Sequence, residues 1–544
     1  MSPSLSLGVA SWGVMALAAS GMAMGKIPVG PVLVAHWALT GLGGASYRDI
    51  LYGHIHLFPP AIALGNLLDN QVRTIEVWNA RDDAQLLSSI ATITPDGTVI
   101  SGASLPPATF GPLESKLYNV SISAAGAAVL NAVFTWQFPA EQPQLVVTGT
   151  RVIAMTFCPD WSEPPEELLT WKTEVLRAYK GTEQRVQILG QPRRKLSFSY
   201  LLEDASQNAR FQSQVWGWQG RVFAVPVWMD QQWLAADLAA GAVAVPYQTA
   251  YQDIEAGQSV LLWADVLTWE IVETASFDAT SIQLKQPTRL DWAKGTRVVP
   301  VRLARMPKAL QWGRPNALMS QLRIDWSVDT SSGIAANRIL PSGLPLYQGY
   351  EVLTEEPDWS FEVGESAELD EDLVDFEVGP VAYDPHTSAP EFSRPFNWVM
   401  KGRDAIARFL GFLDGHSGRQ VPFWLPSYAH DMEQAQDAAA ADVSIQIRDI
   451  EYSVYIAQHL NRRDLAFYPL SGPPIFRRIT ASSQGVGNVE WITLDQSFGQ
   501  TRKASDWSCI SFLTFVRLDQ DSLQLVWETD DLLRVSFRVK EILL

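Results

Sequence analysis

The sequence predicts a mainly β protein: an N-terminal immunoglobulin-like sandwich followed by two tandem homologous β-rich (α+β) domains. Three observations carry this. Short segments of alternating apolar and polar residues, separated by turn residues, succeed one another from His54 onward. One long stretch of the chain is written twice. The composition, 47% hydrophobic and 18% charged over 544 residues, is that of a folded chain with core material for roughly three to four domains.

Residues 5–24 (LSLGVASWGVMALAASGMAM) are small and apolar, with no Lys or Arg before Lys26. A secretory signal needs a basic start, and a membrane helix needs about 20 more strongly apolar residues. The segment 1–50 therefore reads as buried or packed in an oligomer, with a membrane or signal element as the alternative. Over 51–150 the runs His54-Ile55-His56-Leu57 and Thr74-Ile75-Glu76-Val77-Trp78-Asn79 alternate, and Pro95-Asp96-Gly97 and Ser101-Gly102 mark turns. Tyr118-Asn119-Val120-Ser121-Ile122 and Ala132-Val133-Phe134-Thr135-Trp136 follow. Short strands at this spacing predict an immunoglobulin-like β-sandwich. His54 and His56 share one strand face, but no third ligand is nearby, so they read as surface or packing histidines.

The duplication begins at Pro159-Asp160-Trp161-Ser162, answered 198 positions on by Pro357-Asp358-Trp359-Ser360. At the same offset Pro390 answers Pro192, Phe396 answers Phe198, Trp398 answers Tyr200, and Gly418-Arg419 answers Gly220-Arg221. Beyond that pair the match resumes two residues short, with Val421-Pro422-x-Trp424 for Val225-Pro226-x-Trp228. The first repeat domain is expected at 155–330. The second is expected from about 355, with a linker and acidic insertion over 331–377 and its body over 378–544. The carboxylates of 362–377 read as a solvated loop without a counterpart in the first copy. Helical spacing covers 403–413, and more weakly 204–215; a glycine then supplies the left-handed turn into a strand. The C-terminal parts are β again: 281–284 matches 491–494, 300–303 matches 515–518, and 322–326 matches 533–537.

A formal charge of −18 argues against a nucleic-acid-binding surface. The two cysteines, Cys158 and Cys509, sit at non-equivalent places, which rules out a duplicated metal or disulfide site. The sequence contains no G-x-S-x-G, H-E-x-x-H, phosphate loop or C-x-x-C, and the acidic segment lacks the glycine-punctuated spacing of a calcium loop. His416, His430 and Asp431 form the one notable titratable cluster, and Trp218 stands where His416 would recur. No catalytic, cofactor or metal residue is therefore expected, and the chain is not expected to be an enzyme. The recurring Arg210, Gly220, Arg221 and Trp228, with Arg408, Gly418, Arg419 and Trp424, are instead candidates for structural or interface roles. A guanidinium at a helix–strand junction can bind carbonyls, or a neighbouring subunit's carboxylate, bidentately.

The stretch ARFLGFLDGHSGRQVPFWLPSYAHDM, in which a helix leads to a Gly-Arg turn and an aromatic, proline-bearing strand, resembles tail-tip proteins of long-tailed bacteriophages. The pattern over the N-terminal strands is similar to immunoglobulin-like modules of bacterial and phage surface proteins. The resemblance implies a structural tail-tip or baseplate protein of the hub or distal tail class, located in the virion and assembled in the host cytoplasm. It implies a ring, favoured as a homotrimer with pseudo-six-fold symmetry and otherwise a hexamer. It further implies partners among tube, tape-measure, spike and fibre proteins. Distal tail proteins usually hold one ring-forming domain, and this chain holds two. The alternative is a carbohydrate-binding or carbohydrate-active β protein, with some of the 21 tryptophans as sugar platforms.

Overall fold

The computed structural model describes residues 51–542, apart from 68, 69, 96, 103, 124, 125, 127, 128, 180, 330–332 and 388. The apolar segment 5–24 lies outside the described residues. Strand accounts for 47% of the chain and helix for 10%, so it is mainly β, as the alternating runs predict. The described residues divide into two compact units, one of 51–65 and 70–150, the other of 66–67 and 151–542.

Among the described residues the N-terminal unit holds two four-stranded sheets and a two-stranded one, Gln85–Leu87 with Ala108–Phe110. Ile55–Phe58, Gln71–Asn79, Ser115–Ile122 and Thr98–Ser101 form one sheet; Ala61–Leu67, Gln144–Arg151, Val129–Gln137 and Ser89–Ile93 form the other. Alternation places Ile75, Val77, Tyr118 and Val120 inward from the first, and Leu130, Phe134, Trp136 and Leu145 inward from the second. The two faces meet where Tyr118 abuts Trp136 edge-on at 6.0 Å. His54 is bonded to Glu141 at 2.5 Å, and His56 stacks on Trp78.

The second unit repeats one succession of strand pairings. In its first half Glu166–Thr170 pairs with Arg193–Leu202, and helix α1 (Ala205–Trp218) follows, capped by the Asp204 carboxylate on the N–H of Gln207. In its second half Ser366–Glu368 pairs with Glu391–Lys401, and helix α2 (Arg403–His416) follows. Thr170 faces Arg193 in the one and Glu368 faces Glu391 in the other, each residue 198 positions further on. Later strands agree in the same way. Val245 faces Ile282 as Ile445 faces Ile492, and a β-bulge lies between Thr274 and Ser276 as between Ile479 and Ala481.

Three expectations are corrected by these registers. The acidic segment does have a counterpart: the hairpin Glu371–Val374/Ala382–Pro385 answers Thr173–Arg177/Glu183–Gln187, with Thr173 facing Gln187 as Glu371 faces Pro385. It escaped notice because the two hairpins share backbone pairing but not charge. After the Gly-Arg pair the second half gains two residues rather than losing them. Ala154 bridges Ala224 and Val352 bridges Trp424, so Pro426 answers Pro226 and Tyr428, not Trp424, answers Trp228. Finally, Ala304 answers Val516 and Leu322 answers Val535, because each faces the matching residue of a matching strand. Arg517 thereby answers Arg305, where the sequence match gives Arg302.

The stretches 155–330 and 378–544, expected as successive domains, lie in one compact unit around one large core. The segment 331–377 between them is packed at several points over 333–357, while its acidic part, 362–377, is exposed apart from partial cover at 363 and 370. Arg338 is 1% exposed, Val352 and Leu353 are fully buried, and the Leu340 N–H donates to the Ala407 carbonyl on α2. A Cβ on Gly411 would lie 1.8 Å from the Leu340 carbonyl oxygen, so the close approach of this segment requires glycine there. Under that cover α2 buries seven side chains, among them Ile406, Phe409, Leu410 and Leu413, whereas α1 buries only Asn208 and Phe211.

Candidate assembly interface

The feature that sets this unit apart is the way its halves are joined. The strand Glu166–Thr170 of the first half pairs along one edge with its own Arg193–Leu202 and along the other with Ser522–Trp527 of the second half, both antiparallel over five residues. The hairpin Thr173–Arg177/Glu183–Gln187 continues from it as an arm over the second half. Its Glu183 takes a bidentate bond from Arg517 at 2.7 and 2.9 Å, and its Arg177 pairs with Glu391 and Asp370. At the tip Tyr179 packs on His386 at 4.3 Å.

Beneath the shared strand lies a buried ionic network. Glu167, on the inward phase of its strand with Leu169, pairs with Arg194 at 2.5 Å and accepts from both Nη atoms of Arg338 at 2.7 and 2.8 Å. Asp253 accepts from Arg194 at 2.5 Å and from Arg302, which also reaches Glu255. Asp230 accepts from Arg403, the first residue of α2, at 2.5 Å. The indole of Trp527 donates to Glu167, while Arg338 and Arg403 lie over its ring at 5.1 and 5.3 Å. Four guanidinium groups thus meet four carboxylates, and all but Arg403 and Glu255 are at most 1% exposed. Charges removed from water persist only in such balanced, multiply bonded sets.

Burial by itself would raise the Glu167 carboxyl, but Arg194 and Arg338 outweigh it and hold it below its usual range; Arg194 and Arg302 do the same for Asp253. A carboxyl with a lower pKa folded than unfolded stabilises fully above its unfolded value, about 4, and loses that contribution as pH falls further. The melting temperature of the C-terminal unit should therefore drop steeply below about pH 4. Calorimetry from pH 7 to pH 3 checks this, and a midpoint unchanged to pH 3 contradicts it.

Of the eight candidates named from sequence, two sit at the joint. Gly418 has φ +68°, and a Cβ there would lie 2.6 Å from Asp521 Oδ1 and 3.1 Å from Trp171 Cβ. Arg419 donates to the Thr173 carbonyl at 2.7 Å and to Asp521 at 3.2 Å, tying the halves together. Gly220 lacks the positive φ expected of it, and Arg221 stacks on Trp218 at 5.0 Å. Arg210 is exposed on α1, and Arg408 is half exposed, bonded to Asp404 one turn earlier. Trp228 is buried against Trp263, and Trp424 lies in a separate cluster with Tyr347 and Phe515. His416 is buried, its Nδ1 on the Phe412 carbonyl, while Asp431 accepts from the Phe512 N–H.

Sequence matching missed Glu167, Arg194, Asp230, Asp253, Arg302, Arg338 and Arg403, because the network itself does not recur. Glu167 returns as Glu365, half exposed and paired, among the described residues, with Arg394 alone, and sequence matching pairs Arg302 with Arg517. A signal was present for two of them. Arg194 and Glu167 occupy the inward phase of apolar strands, where a charge needs a partner. A scan against protein-family models returns no match for this chain, and a search of curated proteins returns none.

Proposed function

We propose that the chain is a structural protein of a long-tailed phage's tail tip, of the hub or distal tail class, assembled as a ring that joins the tail tube to the spike or receptor-binding apparatus. The observation that carries this reading is the joint itself: two halves with the same succession of pairings, fused edge to edge by a shared strand. Recurring registers at offsets that drift only in loops support a duplication. An immunoglobulin-like N-terminal sandwich fits the same class. A heterologous contact already made once inside the chain is the kind that closes rings when it is made again. With two ring positions per chain, three copies supply six, so a homotrimer is favoured over a hexamer.

Tagged in a producing phage, the protein should locate at the tail tip in images of virions, and native mass spectrometry of the assembly should give three copies. Virions lacking the protein would overturn the tail reading, and six copies would overturn the trimer.

A second reading keeps one observation in its favour. Trp216 is 90% exposed beside Trp218 and Trp312, along an open cleft of about 580 Å³ at the end of α1. The residues lining that cleft include no carboxylate, which suits glycan binding rather than hydrolysis. Loss of binding to host surface glycan in Trp216→Ala, with melting unchanged, would establish it.

A further inference from the structure

The second half carries an arm of its own, which is met by the first arm at Asp370 and Asp384 and is otherwise open to solvent. Among the described residues its strand Ser366–Glu368 pairs with Glu391–Lys401 alone, leaving free the edge that its counterpart Glu166–Thr170 gives to Ser522–Trp527. Its hairpin is exposed at every residue, with Phe376 79%, Val378 87% and Tyr383 64% exposed. Where Trp171 is 2% exposed in the first arm, Leu369 is 40% exposed in the second.

The first half, correspondingly, has an unfilled seat. The position that Leu525 holds in the second half belongs here to Trp312, since each faces its match, Val535 or Leu322. Leu525 is paired on its other side by Glu167; the strand Trp312–Gly313 pairs, among the described residues, with Ser320–Val328 alone. Beside it, where Arg177 of the first arm meets Glu391, the first half presents Arg193 at the lip of an open cleft of about 820 Å³, between residues 189–195 and 327–329.

The charges match with reversed sign. Asp375 stands 198 positions after Arg177, and Arg193 stands 198 before Glu391, so the joint's Arg177–Glu391 pair becomes an Asp375–Arg193 pair. Asp375 and Arg193 are both exposed. Around them the second arm carries Asp370, Asp372 and Glu377, and the seat carries Lys172 and Lys195, all but Asp370 exposed. Two contacts would not recur: Glu183–Arg517 becomes Val381 opposite Arg305, which Asp329 already holds at 2.9 Å, and the Tyr179 contact with His386 and Asp384 becomes Glu377 opposite Ile188 and Val186.

We infer that the arm of residues 366–385 docks on the first half of a second copy of this chain. Its strand adds beside Trp312–Gly313 and its acidic hairpin occupies the Arg193 cleft, so that chains join head to tail. This rests on the internal joint and on the ring reading, but not on a phage origin, and it is tested on purified protein. An unpaired strand edge is a ready template for such addition, and a copy with the same arm-and-seat geometry is the partner it fits.

Arg193→Glu and Asp375→Arg should each weaken self-association of the full chain at least tenfold in analytical ultracentrifugation, and the double variant should recover most of it. Both residues being exposed, the three variants should melt like the parent. A parent that stays monomeric at about 100 µM, or single variants that associate as the parent does, would overturn the docking. Charge-swap rescue in a protein absent from virions would leave the docking standing and remove the tail reading.

Discussion

Replacing Arg338 by Met should destabilise the C-terminal unit by about 3–5 kcal/mol, because it leaves a fully buried carboxylate short of a partner. Arg338 makes the one bidentate bond to Glu167 and lies 3.8 Å from Asp230 and over the Trp527 ring. Without it three guanidinium groups face four carboxylates, and only Arg194 still answers Glu167. Glu167→Gln removes the charge that Arg338 serves, so the double variant should cost well below the sum of the singles. Urea denaturation of the four proteins in a double-mutant cycle measures the coupling. Strictly additive costs would show that the network is not a unit. Arg408→Met is the control: its bond to Asp404 lies on the surface of α2, and its midpoint should stay close to that of the parent.

Truncation of Trp228 or Trp527 to Ala should each cost about 3–5 kcal/mol, from lost burial and the cavity left behind. Trp228 is fully buried among the strands of the first half, and Trp527 fills the space between Arg338 and Arg403 where the two halves meet. The outcome at Trp359 separates burial from recurrence. Trp359 repeats Trp161 in the sequence, yet it is 54% exposed and Trp161 only partly buried. Trp359→Ala should therefore shift stability by no more than about 0.5 kcal/mol. Thermal or urea melts of the three variants decide this, and a large loss at Trp359 would mean that the residue is covered in solution by another chain.

Much of the fold is legible in the sequence because its signals are local. Alternation marks the strands of both units, Asp204 marks the start of α1, and the apolar spacing at 406, 409, 410 and 413 marks the buried face of α2. The repeat is legible wherever side chains are held by the same packing, as at Phe198 and Phe396 or Tyr200 and Trp398, all at most 1% exposed. It fails where only the backbone recurs. The two arms keep identical pairing register while one lies against the second half and is mixed in charge and the other is exposed at every residue and acidic. Residue matching therefore took the second for an insertion.

What the sequence by itself determined is the β character, the two helices and the doubling of a pattern, since each depends on residues within a few positions of one another or on direct comparison. What only the tertiary structure decided is the joint. Glu167 meets Arg338 across 171 positions and Trp527 across 360, and Thr170 lies opposite Ser522. No local preference encodes such a contact, because its free energy arises only when distant charges are removed from water together and must satisfy one another there.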